Sequence, residues 1–244
     1  MAALCLAGTP CLAAEILPEV SVHLRAARYA PTQTDFHWQG WIGAGAGVFR
    51  VKGATTYFTA DVETIIGDTL RAFDANQAAY HLETGIRGRV GPGTATVFFH
   101  HVSRHAIDRE KTQAVDWNLL GARYAWDMSA GDHPVRAMAS IAHTTLASFV
   151  GYRWEVIGHV DAEPLRIGGA SLFARGDVRL VTVEDSDLPR GSFVDASVET
   201  GPRWTRDGRA LDLFAAYEHR NDIRVEVAGA VDRALFGFRI SYLR

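Results

Sequence analysis

The closing segment Leu235-Phe-Gly-Phe-Arg-Ile-Ser-Tyr242 decides the fold class. Side chains of an extended strand alternate between its two faces. Phe236, Phe238, Ile240 and Tyr242 therefore share one face, and Gly237, Arg239 and Ser241 share the other. The same pattern recurs upstream. Tyr80, Leu82, Thr84, Ile86 and Val90 oppose His81, Glu83, Arg87 and Arg89, and Leu172, Ala174, Val178 and Leu180 oppose Arg175, Asp177 and Arg179. Val194, Ala196 and Val198 oppose Asp195, Ser197 and Glu199, while Tyr152, Trp154, Val156 and Val160 oppose Arg153, Glu155, His159 and Asp161.

About twelve strands are expected, near 18–28, 38–51, 54–66, 78–90, 94–107, 115–127, 135–147, 151–162, 170–183, 191–202, 210–219 and 233–243. One greasy and one wet face on every strand predicts an all-β, antiparallel up-and-down transmembrane barrel with lipid outside and polar groups inside. A soluble β-sandwich or calycin-like barrel would use the same alternation with the apolar faces as its core. Trp38, Trp41, Tyr124, Trp126, Tyr152, Trp154, Trp204 and Tyr242, read as belonging to the apolar face, favour a membrane, where such rings gather at the interfaces. The expected location is the bacterial outer membrane.

The 244 residues suit one barrel domain over 15–244. Residues 1–14, MAALCLAGTPCLAA, resemble the apolar stretch and small-residue cleavage site of a secretory signal. The usual basic segment is missing, so either the natural start lies upstream or this stretch is not a signal; the first is expected. Both cysteines, Cys5 and Cys11, fall in this leader, so disulfide, thiol and cysteine–zinc chemistry are not expected of the mature chain. The net charge of −3 carries no nucleic-acid footprint.

The polar faces hold both signs in similar number. Glu83, Glu155 and Asp177 stand against Arg87, Arg89, Arg123, Arg153, Arg175, Arg179 and Arg239, joined by Asp61, Glu63, Asp195, Glu199, Asp212 and Arg25. Buried charges need partners, so a lumen network of ion pairs and a filled or narrow interior are expected. A non-catalytic barrel, either a narrow channel or a surface protein, is consistent with that much. Connections predict the orientation. Those at 29–37, 67–77, 108–114 and 220–232 are long, and Lys52-Gly53 and Gly91-Pro92-Gly93 are tight. Outer loops of such barrels are long and periplasmic turns short.

One hairpin breaks its apolar face. After Val97 and Phe99 the same face continues with His101, Ser103 and His105, and on the next strand Leu120 and Ala122 are preceded by Asn118 and Asp116. These are the parts of an acyl-transfer site: a Ser nucleophile, a His that takes its proton, and an acid or amide that orients the His. Either Asp116 or Asn118 can fill the third role. Arg104 or His105 is expected to contact the oxyanion or a lipid head group. The plainer reading is a polar girdle where the lipid band ends. A metal set of His100, His101, His105 and Asp108 would need His100 and His101 on one face, against the alternation.

The hairpin resembles that of outer-membrane phospholipase A and of the lipid A 3-O-deacylases. Those barrels carry a His-x-Ser pair on the outer face and an Asn or Glu from the next strand. Here the pair is His101-Val102-Ser103, with Asp116 and Asn118 following at 13 and 15 residues after the Ser. Arg104 and His105 stand where those families have Asn and a small residue. The resemblance, limited to this hairpin and the general architecture, implies a serine esterase without cofactor, acting on membrane lipid or lipopolysaccharide.

Overall fold

The computed structural model describes residues 2–4, 12–33, 35–108, 110, 113–187, 189–223 and 229–244. Among them all regular structure is strand. A three-residue strand, β1 (Ala2–Leu4), pairs with the start of β2 (Leu12–Gln33). The expected leader, residues 1–14, otherwise lies largely outside the described residues. The barrel continues through β3 (Phe36–Val51), β4 (Ala54–Gly67), β5 (Asp74–Val90), β6 (Gly93–Ala106), β7 (Val115–Ala130) and β8 (His133–Ser148). It is completed by β9 (Tyr152–Ile167), β10 (Ala170–Val183), β11 (Phe193–Arg206), β12 (Arg209–Arg220) and β13 (Val231–Leu243).

Each strand pairs antiparallel with its sequence neighbour, and β2 pairs with both β3 and β13. β2 to β13 thus form a closed, twelve-stranded, up-and-down barrel with no free edge. This excludes the two-sheet sandwich. Every expected strand is present, most of them longer than the alternation alone predicts. The expected loop at 29–37 shrinks to residues 34 and 35, because β2 and β3 continue pairing to Gln33 and Phe36.

With one exception the connections divide by length between the two ends. At one end all five are two-residue turns: 52–53, 91–92, 131–132, 168–169 and 207–208. Lys52-Gly53 and Asp207-Gly208 hold positive φ at both positions, the twist that tight hairpins need. At the other end lie the longer connections 68–73, 107–114, 149–151, 184–192 and 221–230, together with the short one at 34–35 that departs from the expected long loop. Tyr80, Trp38, Trp154 and Tyr217 ring the long-loop end, and Tyr124, Trp126, Trp204 and Tyr242 ring the turn end. Between the two girdles, side chains such as Ile86, Val97, Ile141, Val198 and Phe236 are exposed on the outside. An apolar band between aromatic girdles, with short turns below and loops above, defines a transmembrane barrel of the outer-membrane type.

The lumen is narrowed by ion pairs. Arg123 reaches Glu83 at 2.8 Å, and the Tyr57 hydroxyl donates to the same carboxylate at 2.7 Å. Arg179 donates to Glu155 at 2.6 Å and Asp195 at 3.0 Å. Arg175 donates to Asp161 at 2.8 Å, Arg239 to Glu199 at 2.6 Å, and Arg87 to Glu19 at 2.5 Å. Guanidiniums also lie over aromatic faces, Arg123 on Phe98 and Arg203 on Phe173 both at 4.6 Å, an attraction that strengthens away from water. Gly43 makes room for this packing, because a Cβ there would fall 1.8 Å from Asp61 Oδ1.

Two residues depart from the expected network. Arg153 is exposed and pairs with Glu184 at 2.8 Å. The ladder shifts register between Thr182 and Val183, so Trp154 and Tyr152 take consecutive partners and Arg153 is the extra residue. This bulge turns Arg153 outward and Tyr152 into the lumen. Arg89 has the parity of the inner face but sits exposed beside the Gly91 turn, in no ion pair among the described residues. Trp41 also lies inside, its ring 5.1 Å from that of His81.

Candidate functional site

The ladder between β6 and β7 sets His101 opposite Asn118 and Ser103 opposite Asp116. All four side chains point outward, because Val102, Trp117 and Leu119 between them are buried in a lumenal apolar cluster. That cluster, with Tyr57, Phe98 and Tyr152, backs the hairpin with packed side chains. Such a wall holds outer-face groups to one geometry.

His101 Nδ1 lies 2.6 Å from Asn118 Oδ1. An amide oxygen only accepts, so Nδ1 carries the proton and donates it. Nε2 is then left with its lone pair, free to act as a base. Asn118 is itself held. β8 shifts register between Asn118 and Leu119, leaving Thr145 as an unpaired extra residue. The Thr145 hydroxyl donates to the Asn118 carbonyl at 3.4 Å. A bulge beside the amide re-aims it locally, and alternation does not reveal it.

Ser103 follows on the same outward face. Among the described residues no hydrogen bond joins its hydroxyl to His101, whose Nδ1 partner is Asn118. Tyr80 is the register partner of Ser103 on β5, and its ring packs 5.7 Å from that of His105. Leu82, Phe99, Leu120 and Leu146, all exposed, flank the His101–Asn118 pair. The structure thus gathers His101, Asn118, Ser103, Tyr80 and His105 on one apolar outer patch near the long-loop end.

Arg104 is not among them. Its parity puts it inside, where it is 4% exposed and pairs with Asp222, so it cannot meet an oxyanion outside the wall. Asp116 stands beside Ser103 rather than behind the imidazole. His100 faces the lumen, where it meets His81 at 3.3 Å. It therefore shares no ligand set with His101 and His105.

The lumen holds a feature that strand alternation does not announce. Residues Asn221, Asp222 and Ile223 of the β12–β13 connection fold into the long-loop end of the barrel. Asp222 lies within ion-pair distance of Arg104, Arg179 and Arg190. Asn221 is bound to Asp195 and to the Val194 carbonyl, and Ile223 is buried in the apolar cluster that includes Tyr29, Phe36 and Ile65. Burial pushes the Asp222 carboxyl up, but the three guanidiniums outweigh it and hold it at about 2, below its ordinary 3.8.

Closed topology, apolar exterior and an ion-paired interior define the chain as a transmembrane β-barrel of the bacterial outer-membrane type. No family model and no curated protein matches the sequence. Solved structures do match. The outer membrane phospholipase dimer of Salmonella typhi with bound calcium aligns at TM-score 0.56 and 8% identity, covering 91% of this chain and 90% of that one. The translocator domain of the autotransporter NalP from Neisseria meningitidis aligns at TM-score 0.41 and 12% identity, covering 92% of this chain and 87% of that one. The first likeness supports the barrel fold.

Proposed function

We propose that this barrel hydrolyses acyl esters of membrane lipid, phospholipid or lipopolysaccharide, at its outer face. Ser103 is the nucleophile, His101 the general base and then acid, and Asn118 the residue that fixes the imidazole. The observation that carries the reading is the 2.6 Å bond from His101 Nδ1 to Asn118 Oδ1. It gives an imidazole on a lipid-facing wall the tautomer a base needs. A structural neighbour of the same fold is, by its name, a phospholipase.

In the proposed reaction Ser103 Oγ attacks the ester carbonyl carbon as Nε2 of His101 takes its proton. The imidazolium then protonates the leaving alkoxide, which departs as the lysolipid. A water, activated by the same nitrogen, releases the fatty acid and restores Ser103. Tyr80 and His105, which flank Ser103, are the outward donors for the oxyanion. The missing bond between Ser103 and His101 is compatible with this scheme, since such bonds are often long without substrate. The plugged lumen lends no support to an open channel.

The test is fatty-acid release from phospholipid and from lipopolysaccharide in mixed micelles. Ser103→Ala and His101→Ala are each expected to lower it to about one-thousandth or less, with the heat-modifiable gel shift of a folded barrel intact. Full activity in Ser103→Ala would overturn the proposal.

A further inference from the structure

Below the plug the lumen contains two adjoining cavities, of about 300 and about 310 Å³. They meet at a waist, because Trp41, Asp177, Ser197 and Glu218 line both. Each volume is at the lower end of the range that small-molecule sites occupy.

The charges around the upper cavity do not all find partners. Arg104 is matched by Asp222, Arg179 by Glu155 and Asp195, and Arg220 by Glu63. Every guanidinium there is therefore committed to a carboxylate. Two carboxylates are not committed to a guanidinium. Asp177 contacts His159 at 2.6 Å, and among the described residues no Arg or Lys lies within ion-pair distance of it. Glu218 is 8% exposed, and its Oε1 accepts no hydrogen bond. Arg220, two residues along the same inner face, donates to both oxygens of Glu63 instead. Glu218 is thus buried without a cationic partner among the described residues, while Asp177, its side chain 43% exposed, is the accessible second carboxylate. A buried carboxylate without a cation is unfavourable, and the charge missing from the waist is positive.

We propose that the waist binds a small organic cation of the ammonium or guanidinium class. Its charge lies between Glu218 and Asp177, its N–H groups donate to these carboxylates and to Ser197 Oγ, and its apolar part rests on Trp41. A metal ion is a poorer occupant, since among the described residues no group of three or more ligating side chains could hold one. The site is separate from the outer-face serine and does not depend on its activity.

The experiment uses the full chain folded in detergent, titrated at fixed ionic strength with methylguanidinium and with its neutral analogue N-methylurea, and followed by calorimetry. Methylguanidinium is expected to bind saturably, and N-methylurea about tenfold more weakly or less well still. Glu218→Gln and Asp177→Asn are each expected to weaken methylguanidinium about tenfold. Asp127→Asn, which breaks an exposed pair with Arg136, is expected to leave binding unchanged. No saturable binding, equal binding of the two compounds, or unaltered binding in both waist variants overturns the proposal. If Glu218→Gln does not fold, the comparison of the two compounds on the native chain and the Asp177→Asn titration still decide.

Discussion

Replacing Asp222 by Asn tests whether charge holds the outer loop in the lumen. The side chain keeps its shape and one acceptor oxygen but loses the charge that faces Arg104, Arg179 and Arg190. The carboxyl titrates at about 2 in the folded protein against 3.8 ordinarily, after burial has worked the other way. That difference corresponds to about 2 kcal/mol of docking free energy. Losing it raises the open population of 221–223 about 30-fold. The pH dependence has a definite sign, because the folded pKa lies below the unfolded one. The contribution is complete above about pH 5 and fades as the pH falls through about 2. Amide hydrogen exchange at Ile223, measured for both proteins at each pH, isolates it. The variant is expected to exchange about 30-fold faster at pH 6, with the ratio shrinking towards one as the pH approaches 2. Equal rates at pH 6 would refute the argument that the ion cluster closes the mouth.

Two further outcomes separate residues that the sequence leaves side by side. Asn118→Ala is expected to lower kcat of ester hydrolysis about 10- to 100-fold with little change in KM, because the imidazole loses its orientation. Asn118→Asp, which keeps an acceptor, retains most of the activity, and Asp116→Ala stays within about twofold. Comparable losses for Asp116→Ala and Asn118→Ala would reassign the third member. In urea unfolding, Glu155→Ala is expected to cost about 3 kcal/mol, since it strips one buried carboxylate from Arg179. Arg153→Ala is expected to stay within about 0.5 kcal/mol, its pair being exposed. Similar midpoints for these two variants would contradict the bulge at Arg153.

Much of this architecture is legible because a barrel wall needs only a period of two. Twelve alternating segments, two rows of connections and the outward parity of His101, Ser103 and Asn118 all follow from it. What the period hides lies where it is broken or where distant segments meet. The bulge at Arg153 moves one charge out of the lumen and Tyr152 into it, so that Tyr152 packs at 5.1 Å against Trp117. Trp41 looks like a girdle residue but has inner parity, shared with Gln39 and Gly43, and it lines the cation waist. Arg104 has inner parity too. Expecting it outside set its chemistry above its position, and position decides. Asp222 escapes altogether, because no local pattern shows that a long loop turns back into the barrel.

The outer pair and the inner network constrain each other. β6 and β7 are joined by the connection 107–114, too long to fix their register as a two-residue turn does. Register there rests on the inner face, where Val102, Trp117 and Leu119 interlock, Arg104 lies over Trp117 at 5.3 Å and Arg123 over Phe98. A slip of one residue would carry Arg123 or Arg104 into the lipid and break these pairs along the whole strand. Placing an Arg at mid-bilayer on such a face costs about 2–4 kcal/mol. The alignment that sets His101 against Asn118 is thus held mainly from inside, by residues that touch neither. Weakening the packing of Trp117 should therefore loosen the outer pair before it unfolds the barrel.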